Sequence, residues 1–352
     1  MKKRLSKTIT IGGVKIGGGA PVAVQSMTKT TTQDVVATVK QIKDLANAGC
    51  ELVRLAVPDM AAASALREIK SQVSVPLVAD IHFDYRLALA AIENGVDGLR
   101  LNPGNISGKK QIKKIVAAAA SRAIPIRIGV NSGSLDRTTL KKYGHPTPEA
   151  MVESALGHVR ILEDLDFHLI KISLKSPDVL QMVSAYRLLS ERVEYPLHVG
   201  VTEAGTLISG TVKNALGIGL LLSEGIGDTI RVSLTHDPVA EVKVAYEILR
   251  ALGLRQRGVE IISCPTCGRC QIDLLDLTEE IENALNQITA PLKVAIMGCI
   301  VNGPGEAREA DIGIAGSLGQ GTLFRKGKVV KKVPEPDLAR VLIAEVKKMA
   351  NE

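Results

Sequence analysis

Short apolar, β-branched runs alternate with longer segments rich in Ala and Leu at a period of roughly 25–30 residues. Many of the short runs are apolar at consecutive positions, which is typical of parallel strands covered by helices. The predicted strands are 22–27, 52–57, 76–81, 98–102, 125–131, 168–174, 196–202 and 229–234. The predicted helices are 35–48, 61–72, 85–94, 109–121, 148–165, 209–223 and 238–251. This pattern predicts an α/β fold, a (β/α)8 TIM barrel, rather than a doubly wound open sheet.

The pattern changes after position 252. A helix (277–288), strands (292–297 and 311–315), a basic hairpin and a final helix (337–349) then follow. We therefore expect residues 1–252 to form a TIM barrel. Residues 259–352 are expected to form a small α+β domain.

Composition narrows the function. Lys and Arg number 44 against 37 Asp and Glu, a net charge of +7 that favours an anionic ligand without requiring a polyanion. The chain has 3 Phe, 5 Tyr and no Trp, which argues against a stacking surface for single-stranded nucleic acid. No apolar run approaches the ~20 residues of a membrane helix or follows the basic N-terminus as in a signal peptide. We expect a cytoplasmic protein, and interpret the basic segment 325–332 as a solvated hairpin edge.

Charged residues stand near the ends of most predicted barrel strands, where barrel enzymes place reactive groups. The basic ones are Arg54, Arg100, Arg127, Lys171, Lys175 and Arg231. The acidic ones are Asp80 and Glu203. A buried unpaired charge is costly, so we interpret the basic set as the grip on a compact, phosphate-like substrate. Glu203 is then a candidate general acid, and scattered structural ion pairs are the alternative explanation.

Four of the five cysteines lie in the last quarter of the chain: Cys264, Cys267, Cys270 and Cys299. Clustered cysteines without an export signal indicate metal ligands rather than disulfides. Three thiolates and one more ligand suit structural zinc or a [4Fe–4S] cluster. Glycines around Cys299 and the lack of a separate second CxxC or of paired His favour the iron–sulfur cluster. The isolated Cys50 is interpreted as a small buried apolar residue.

Five motifs resemble those of the 4-hydroxy-3-methylbut-2-enyl diphosphate synthases, iron–sulfur enzymes of isoprenoid biosynthesis. They are VQSMT at 24–28, RLNPGN at 100–105, IRIGVNSGS at 126–134, CPTCGR at 264–269 and GCIVNGPGEA at 298–307. The resemblance spans the chain in the compact bacterial two-domain form. It implies an oxidoreductase whose barrel binds 2-C-methyl-D-erythritol 2,4-cyclodiphosphate and whose second domain holds a [4Fe–4S] cluster.

The resemblance also implies roles for individual residues. The implied cluster ligands are Cys264, Cys267, Cys299 and Glu306. The implied substrate-binding residues are Arg54, Asp80, Arg100, Arg127, Asn131, Lys175, Ser233 and Asn302. The implied acid is Glu203. By spacing alone Cys270 competes with Glu306 as fourth ligand, and we predict Glu306 because it stands in the family motif.

The expected reaction is a two-electron reductive ring opening that releases water, with electrons from reduced ferredoxin or flavodoxin. Two alternatives remain open from the residues: a pterin-binding-type barrel transferase with a structural metal domain, and a non-catalytic iron–sulfur or nucleic-acid-binding protein. We also predict a homodimer with a shared active site. The last barrel helix carries the chain away from the mouth, and the linker 252–263 would have to retrace that path almost fully extended. A folded-back monomer is the alternative.

Overall fold

The computed structural model describes residues 3–299, 305 and 307–352. The chain divides into two compact units, Met1–Arg255 and Gln256–Glu352. Two predicted site residues, Asn302 and Glu306, lie outside the described residues. Among the residues that are described, no helix has both the length and the apolar character needed to cross a membrane.

The first unit is a TIM barrel preceded by an antiparallel hairpin, β1 (Ile9–Ile11) and β2 (Val14–Ile16). The barrel strands are β3 (Ala23–Met27), β4 (Leu52–Ala56), β5 (Leu77–Asp80), β6 (Gly98–Arg100), β7 (Ile126–Asn131), β8 (Ile170–Lys175), β9 (His198–Val199) and β10 (Thr229–Ile230). They are parallel, in the order β8-β7-β6-β5-β4-β3-β10-β9. A parallel bridge between Ile172 and Leu197 joins the two ends of this sheet. The predicted barrel is confirmed.

Helices follow the strands and cover the outside of the sheet. They are α1 (Val35–Asn47), α2 (Met60–Ser71), α3 (Tyr85–Glu93), α4 (Lys109–Ser121), α5 (Arg137–Tyr143), α6 (Pro148–Glu163), α7 (Val179–Ser190), α8 (Leu207–Ser223) and α9 (Pro238–Ala251). The seven predicted helices are present within two residues at each end. The hairpin β1–β2, α5 and α7 were not predicted: the hairpin strands and α5 are short, and α7 is apolar around most of its circumference, which weakens its period.

Most barrel helices begin at a side chain that caps the first turn. The capping residues are Asp34, Asp59, Asp84, Asp136, Thr147, Asp178 and Asp237. Each accepts a hydrogen bond from a backbone N–H that has no partner within the helix. In a βα barrel these helix starts lie at the mouth, so the caps fix the loops that follow the strand ends.

The described part of the second unit forms a five-stranded mixed sheet with two α-helices packed on it. Its strands, in sheet order, are β11 (Glu260–Ser263), β12 (Lys293–Met297), β13 (Ile312–Ser317), β14 (Gln320–Arg325) and β15 (Lys328–Pro334). The first three are parallel, and β14 and β15 form an antiparallel hairpin. The helices α10 (Leu274–Leu285) and α11 (Leu338–Ala350) share one apolar core with the sheet. All the predicted elements occur here; β11, a four-residue strand, was not predicted.

Candidate active site

The barrel places the predicted substrate-binding residues at the carboxyl ends of neighbouring strands. Asp80 lies level with Arg100 across β5 and β6, and Arg100 lies level with Arg127 across β6 and β7. Asn131 and Lys175 end β7 and β8 at the same level. Arg54 lies on β4, and its side chain is 11% exposed. The structure therefore gathers these residues around one end of the barrel.

Asp80 is the shared counter-ion of this group. Its carboxylate lies 3.3 Å from Arg100 Nη1 and 3.6 Å from Arg54 Nε. Burial works to raise the pKa of Asp80, but Arg54, Arg100 and Arg127 together outweigh burial and lower that pKa. The carboxylate therefore stays ionised and holds two of the arginines in place. His82 lies 3.8 Å from Asp80, yet burial and the neighbouring arginines lower the pKa of its imidazole, which favours the neutral ring.

Arg100 is also fixed from the far side. Its Nη2 donates to the Gly129 carbonyl at 3.0 Å, and the Asn102 side chain binds both the N–H and the C=O of Gly129. A Cβ at position 129 would lie 2.8 Å from Arg100 Nε, so glycine is what lets the guanidinium pass. The Arg100 guanidinium is therefore preorganised before any ligand arrives.

Two buried cations nearby, Arg127 and Lys175, form no ion pair with any acid that the structure describes, and a third, Arg54, is only partly compensated by Asp80. Arg127 donates from Nη1 to Ser173 Oγ at 3.3 Å, whereas its Nε and Nη2 have no partner among the described residues. Burial lowers the pKa of Lys175 well below its usual value, and Arg231, Arg127 and the other arginines lower it further. Burial lowers the pKa of Arg54 to about 10 despite Asp80. Buried donors without acceptors are costly, so this arrangement suits an anionic ligand that supplies several oxygens.

Lys171 extends this cationic set deeper along β8. It lies level with Arg127 across the β7–β8 ladder and is 1% exposed. Its Nζ has no hydrogen-bond partner in the described part of the chain. Burial lowers the pKa of Lys171 well below its usual value, and Arg127 lowers it further. Two of the three positions on this face of β8, Lys171 and Lys175, therefore carry amines that are poorly solvated.

Ser233 precedes Leu234, whose N–H binds an acidic residue that the sequence did not single out, Glu241. Ser233 Oγ donates to the Val201 carbonyl at 2.6 Å. Glu241, in the first turn of α9, is 1% exposed and accepts from Ser26 Oγ at 3.0 Å and from the Leu234 N–H at 3.1 Å. Its carboxylate also lies 3.5 Å from Arg231 and 3.3 Å from Lys29. Glu241 thus balances the positive charge of Arg231 and Lys29 on one side of the mouth, as Asp80 balances that of Arg54 and Arg100 on the other.

Glu203 lies apart from this network. It follows β9 in an exposed loop and makes no hydrogen bond or ion pair with any residue that the structure describes. Its backbone is left-handed, with φ at +52°, a conformation that residues with a Cβ seldom adopt. Such backbone conformations cluster at functional sites, where the surrounding structure maintains them. The side chain is free to meet a ligand.

In the second unit, Cys264 and Cys299 follow the carboxyl ends of two adjacent parallel strands, β11 and β12. The Cys264 thiol accepts a hydrogen bond from the Gly298 N–H at 3.4 Å. Cys267 is exposed, and hydrogen bonding by the Arg269 N–H lowers the pKa of its thiol. No three His, Cys, Asp or Glu side chains within the described ranges converge as a metal site. The predicted ligand Glu306 lies outside those ranges.

Cys270 is engaged by its own loop. Its thiol donates to the Ile272 carbonyl at 3.3 Å and packs against the apolar core of the second unit. A Cβ on Gly298 would lie 2.4 Å from Cys270 Sγ, so the glycine before Cys299 makes room for this sulfur. Cys50, in the barrel, is buried, and burial raises the pKa of its thiol to about 12, which suits an inert core residue.

Family comparison covers both units. Residues 6–246 match the model of the GcpE TIM-barrel domain, and residues 260–348 match that of the GcpE protein C-terminal domain. A protein of Geobacter sulfurreducens named 4-hydroxy-3-methylbut-2-en-1-yl diphosphate synthase (flavodoxin) is 62% identical over 350 residues, 99% of each chain. A protein of the same name from Thermodesulfovibrio yellowstonii is 60% identical over 99% of this chain and all of its own.

Solved structures share the barrel at much lower identity. The dihydropteroate synthase of Yersinia pestis superposes with a TM-score of 0.51 at 13% identity, covering 70% of this chain and 97% of its own. The enzyme from Xanthomonas albilineans gives 0.50 at 12% identity over 70% of this chain and 98% of its own. These likenesses show the fold alone, so they do not favour the alternative of a pterin-binding transferase. On the two domain models and the full-length relatives, the chain belongs to the GcpE family, whose members above are named 4-hydroxy-3-methylbut-2-en-1-yl diphosphate synthase.

Proposed function

We propose that this chain converts 2-C-methyl-D-erythritol 2,4-cyclodiphosphate into 4-hydroxy-3-methylbut-2-enyl diphosphate. The reaction consumes two electrons and two protons, breaks a ring C–O bond and releases one water. The observation that carries the proposal is the set of buried cationic donors at the barrel mouth: Arg127 Nε and Nη2 and Lys171 Nζ have no acceptor among the described residues, and the buried Lys175 lies beside them. A cyclic diphosphate supplies both the negative charge and the fixed oxygens that these donors lack.

The barrel residues divide the work of holding that substrate. Arg54 and Arg100, fixed by Asp80, present planar guanidinium groups in set orientations. Arg127 and Lys175 add charge from the neighbouring strands, and a bound phosphate would raise the pKa of the Lys175 ammonium again. Asn131 and Ser233, both half-buried at strand ends, are the neutral contacts that we assign to the substrate. Attraction to the anion offsets the free-energy cost of burying these charged groups. Binding is therefore strongest for a ligand with full diphosphate charge.

We assign a [4Fe–4S] cluster to Cys264, Cys267 and Cys299, with Glu306 as the fourth ligand. The residues present fit such a group: three thiols follow adjacent parallel strands, and the Gly298 N–H already donates to a cysteine sulfur. When bound, the cluster supplies one-electron reduction at low potential. Cys270 donates to its own loop and is left outside the ligand set.

Glu203 is the residue that we assign as general acid. Its exposed carboxyl group makes no contact with the described residues, so it is available to give a proton to the departing hydroxyl as water forms. The backbone at this position is left-handed, with φ at +52°. Arg231, Lys175 and Ser233 line the neighbouring strands without engaging it.

The electron donor that we assign is flavodoxin, the donor printed in the names of the relatives at 62% and 60% identity. We place the reaction in the cytoplasm. The described cysteines are all free, as expected for a compartment that keeps thiols reduced.

We further assign a homodimer whose sites are shared between subunits. Helix α9 has 14 residues and so carries the chain about 21 Å from the mouth. The segment 252–259 before β11 reaches at most about 28 Å when extended, which leaves little slack for a return over the same barrel. Exposed apolar side chains at the starts of the mouth-side helices, Val36, Met60, Leu180 and Ile208, also favour a protein cover over that end of the barrel.

Anaerobic reconstitution tests the proposed function. The protein is loaded with iron and sulfide, reduced with dithionite and mixed with the cyclic diphosphate, and the product is identified by mass spectrometry. We expect about four irons per chain, an EPR signal that shifts on adding substrate, and formation of the acyclic diphosphate. A colourless zinc protein that leaves the substrate unchanged would overturn the proposal.

A further inference from the structure

Four lysines of the β14–β15 hairpin form an uncompensated basic strip, which we call the lysine edge: Lys326, Lys328, Lys331 and Lys332. All four are exposed, and none forms an ion pair with a residue in the described part of the chain. The acids nearest to them in sequence are engaged elsewhere. Glu335 accepts from the Asp273 N–H at 3.2 Å, and Asp337 pairs with Arg340 at 2.8 Å.

The backbone under the lysine edge is fixed. Lys326 and Gly327 form a two-residue turn with φ of +48° and +73°, and the Lys326 N–H donates to the Asp311 carbonyl at 3.1 Å. Among the described strands β15 pairs with β14 alone, so its other side is an open strand edge there. Val329 and Val330, 71% and 54% exposed, lie between the lysines. The strip therefore combines charge, a small apolar patch and a rigid support.

Strand register relates this edge to the proposed cluster ligands. Lys332 lies opposite Thr322, Thr322 opposite Ala315, and Ala315 beside Met297, which precedes Cys299 by two positions. Three strand spacings separate β12 from β15, about 14 Å. A donor seated on the edge would thus bind the same sheet that carries the proposed cluster ligands.

From this geometry we infer that the lysine edge docks an acidic one-electron donor protein of the flavodoxin class. The inference rests on the proposed function, which requires two electrons per substrate. Two successive encounters supply them, each oxidising one donor molecule by one electron. Brief redox encounters use small interfaces, and their association rates depend on complementary charge. The four-lysine strip provides a small, positively charged surface of this kind.

Lysines on a sheet edge also prevent strand-to-strand aggregation, and that role explains the charge without a partner. Reversal of the charge separates the two roles, because glutamate protects an edge as well as lysine does. The test variant is Lys331→Glu/Lys332→Glu in the full-length protein. The matched control is Lys113→Glu/Lys114→Glu on α4, which makes the same charge change at two exposed lysines of the barrel unit.

Binding of flavodoxin is measured directly at low ionic strength by fluorescence anisotropy, and turnover is measured with reduced flavodoxin and with dithionite-reduced methyl viologen. We expect flavodoxin binding to weaken about tenfold in the test variant, with the difference vanishing at high salt. The KM for flavodoxin should rise equally, and viologen-driven turnover should stay at the wild-type rate. Equal melting temperatures show that both variants fold.

Unchanged flavodoxin affinity in the test variant, or an equal loss in the control, would overturn the inference. The same anisotropy assay is run with a single-stranded DNA probe. If the test variant lost DNA binding and kept flavodoxin binding, the strip would be assigned to nucleic acid and the inference would be wrong. A wild-type protein that fails to convert the cyclic diphosphate even with viologen would reject the proposed function instead. The anisotropy measurement still decides the docking surface in that case.

Discussion

Replacing Asp80 with asparagine removes the charge that balances Arg54 and Arg100 while keeping the side chain's shape. The carboxylate is 8% exposed, and its oxygens lie 3.3 Å from Arg100 Nη1 and 3.6 Å from Arg54 Nε. Removing one partner of a buried pair costs about 3–5 kcal/mol, because the remaining charge is left uncompensated. In a unit of this size each kcal/mol lowers Tm by about 2–4 °C, so we expect Asp80→Asn to melt about 6–20 °C lower.

The stabilisation by the Asp80 carboxylate also depends on pH in a predictable direction. Because the arginines lower the pKa of Asp80 in the folded protein, its contribution is complete above the unfolded value of about 4 and is lost as the pH falls further. The difference in Tm between wild type and Asp80→Asn should therefore be constant from pH 6 to 8, to within about 1 °C, and should narrow below about pH 4.

A surface substitution serves as the control. Glu247 pairs with Arg250 on α9 and is 65% exposed, so Glu247→Gln should change stability by less than about 0.5 kcal/mol. Differential scanning calorimetry of the ligand-free proteins measures all three. If Asp80→Asn melted with Glu247→Gln at pH 7, Asp80 would not be the counter-ion that its position suggests.

Four further experiments test the assigned roles. Glu203→Gln should reduce turnover about 100-fold or more while the Kd for the cyclic diphosphate, measured by calorimetry, stays within about twofold; wild-type turnover would exclude it as the acid. Lys175→Met should stabilise the ligand-free protein by about 1–4 kcal/mol in thermal melts, because a desolvated amine is removed, and should abolish substrate binding. Cys264→Ala should lose iron and visible absorbance after reconstitution whereas Cys270→Ala keeps both, and equal loss would make Cys270 a ligand. Co-expressed Arg100→Ala and Cys264→Ala chains should regain about a quarter of wild-type activity if sites are shared between subunits, and none if each site is built within one chain.

The barrel and most of its mouth follow from local sequence pattern. Strand and helix periods differ, so eight short apolar runs separated by helices could be recognised without tertiary information. Arg100, Arg127 and Lys175 could be selected because a charge within a strand has few stable environments. The cysteine spacing likewise identifies a set of thiols, although it does not show that Cys270 bonds to Ile272 in its own loop.

Glu241 shows where sequence reasoning stops. It lies in the first turn of a helix, a position where acidic residues are common for the helix dipole alone. Its importance comes from Ser26 and Arg231, which only the closed barrel brings to it. Likewise the alternation of residues puts Lys171 and Lys175 on one face of β8, but the lack of an acceptor at Lys171 depends on every facing strand.

The balance of charge at the mouth explains why the cations are so unevenly partnered. Asp80 and Glu241 are each surrounded by donors, and they fix Arg54, Arg100 and Arg231. Arg127, Lys171 and Lys175 are buried and form no ion pair with an acid in the described ranges, and burial disfavours the charged forms of the two lysines. A third carboxylate would remove this cost but would also repel a diphosphate and occupy its donors. The ligand-free barrel is thus less stable than one in which these cations were paired with a carboxylate. The same deficit in negative charge makes the mouth bind a diphosphate more tightly than a neutral ligand.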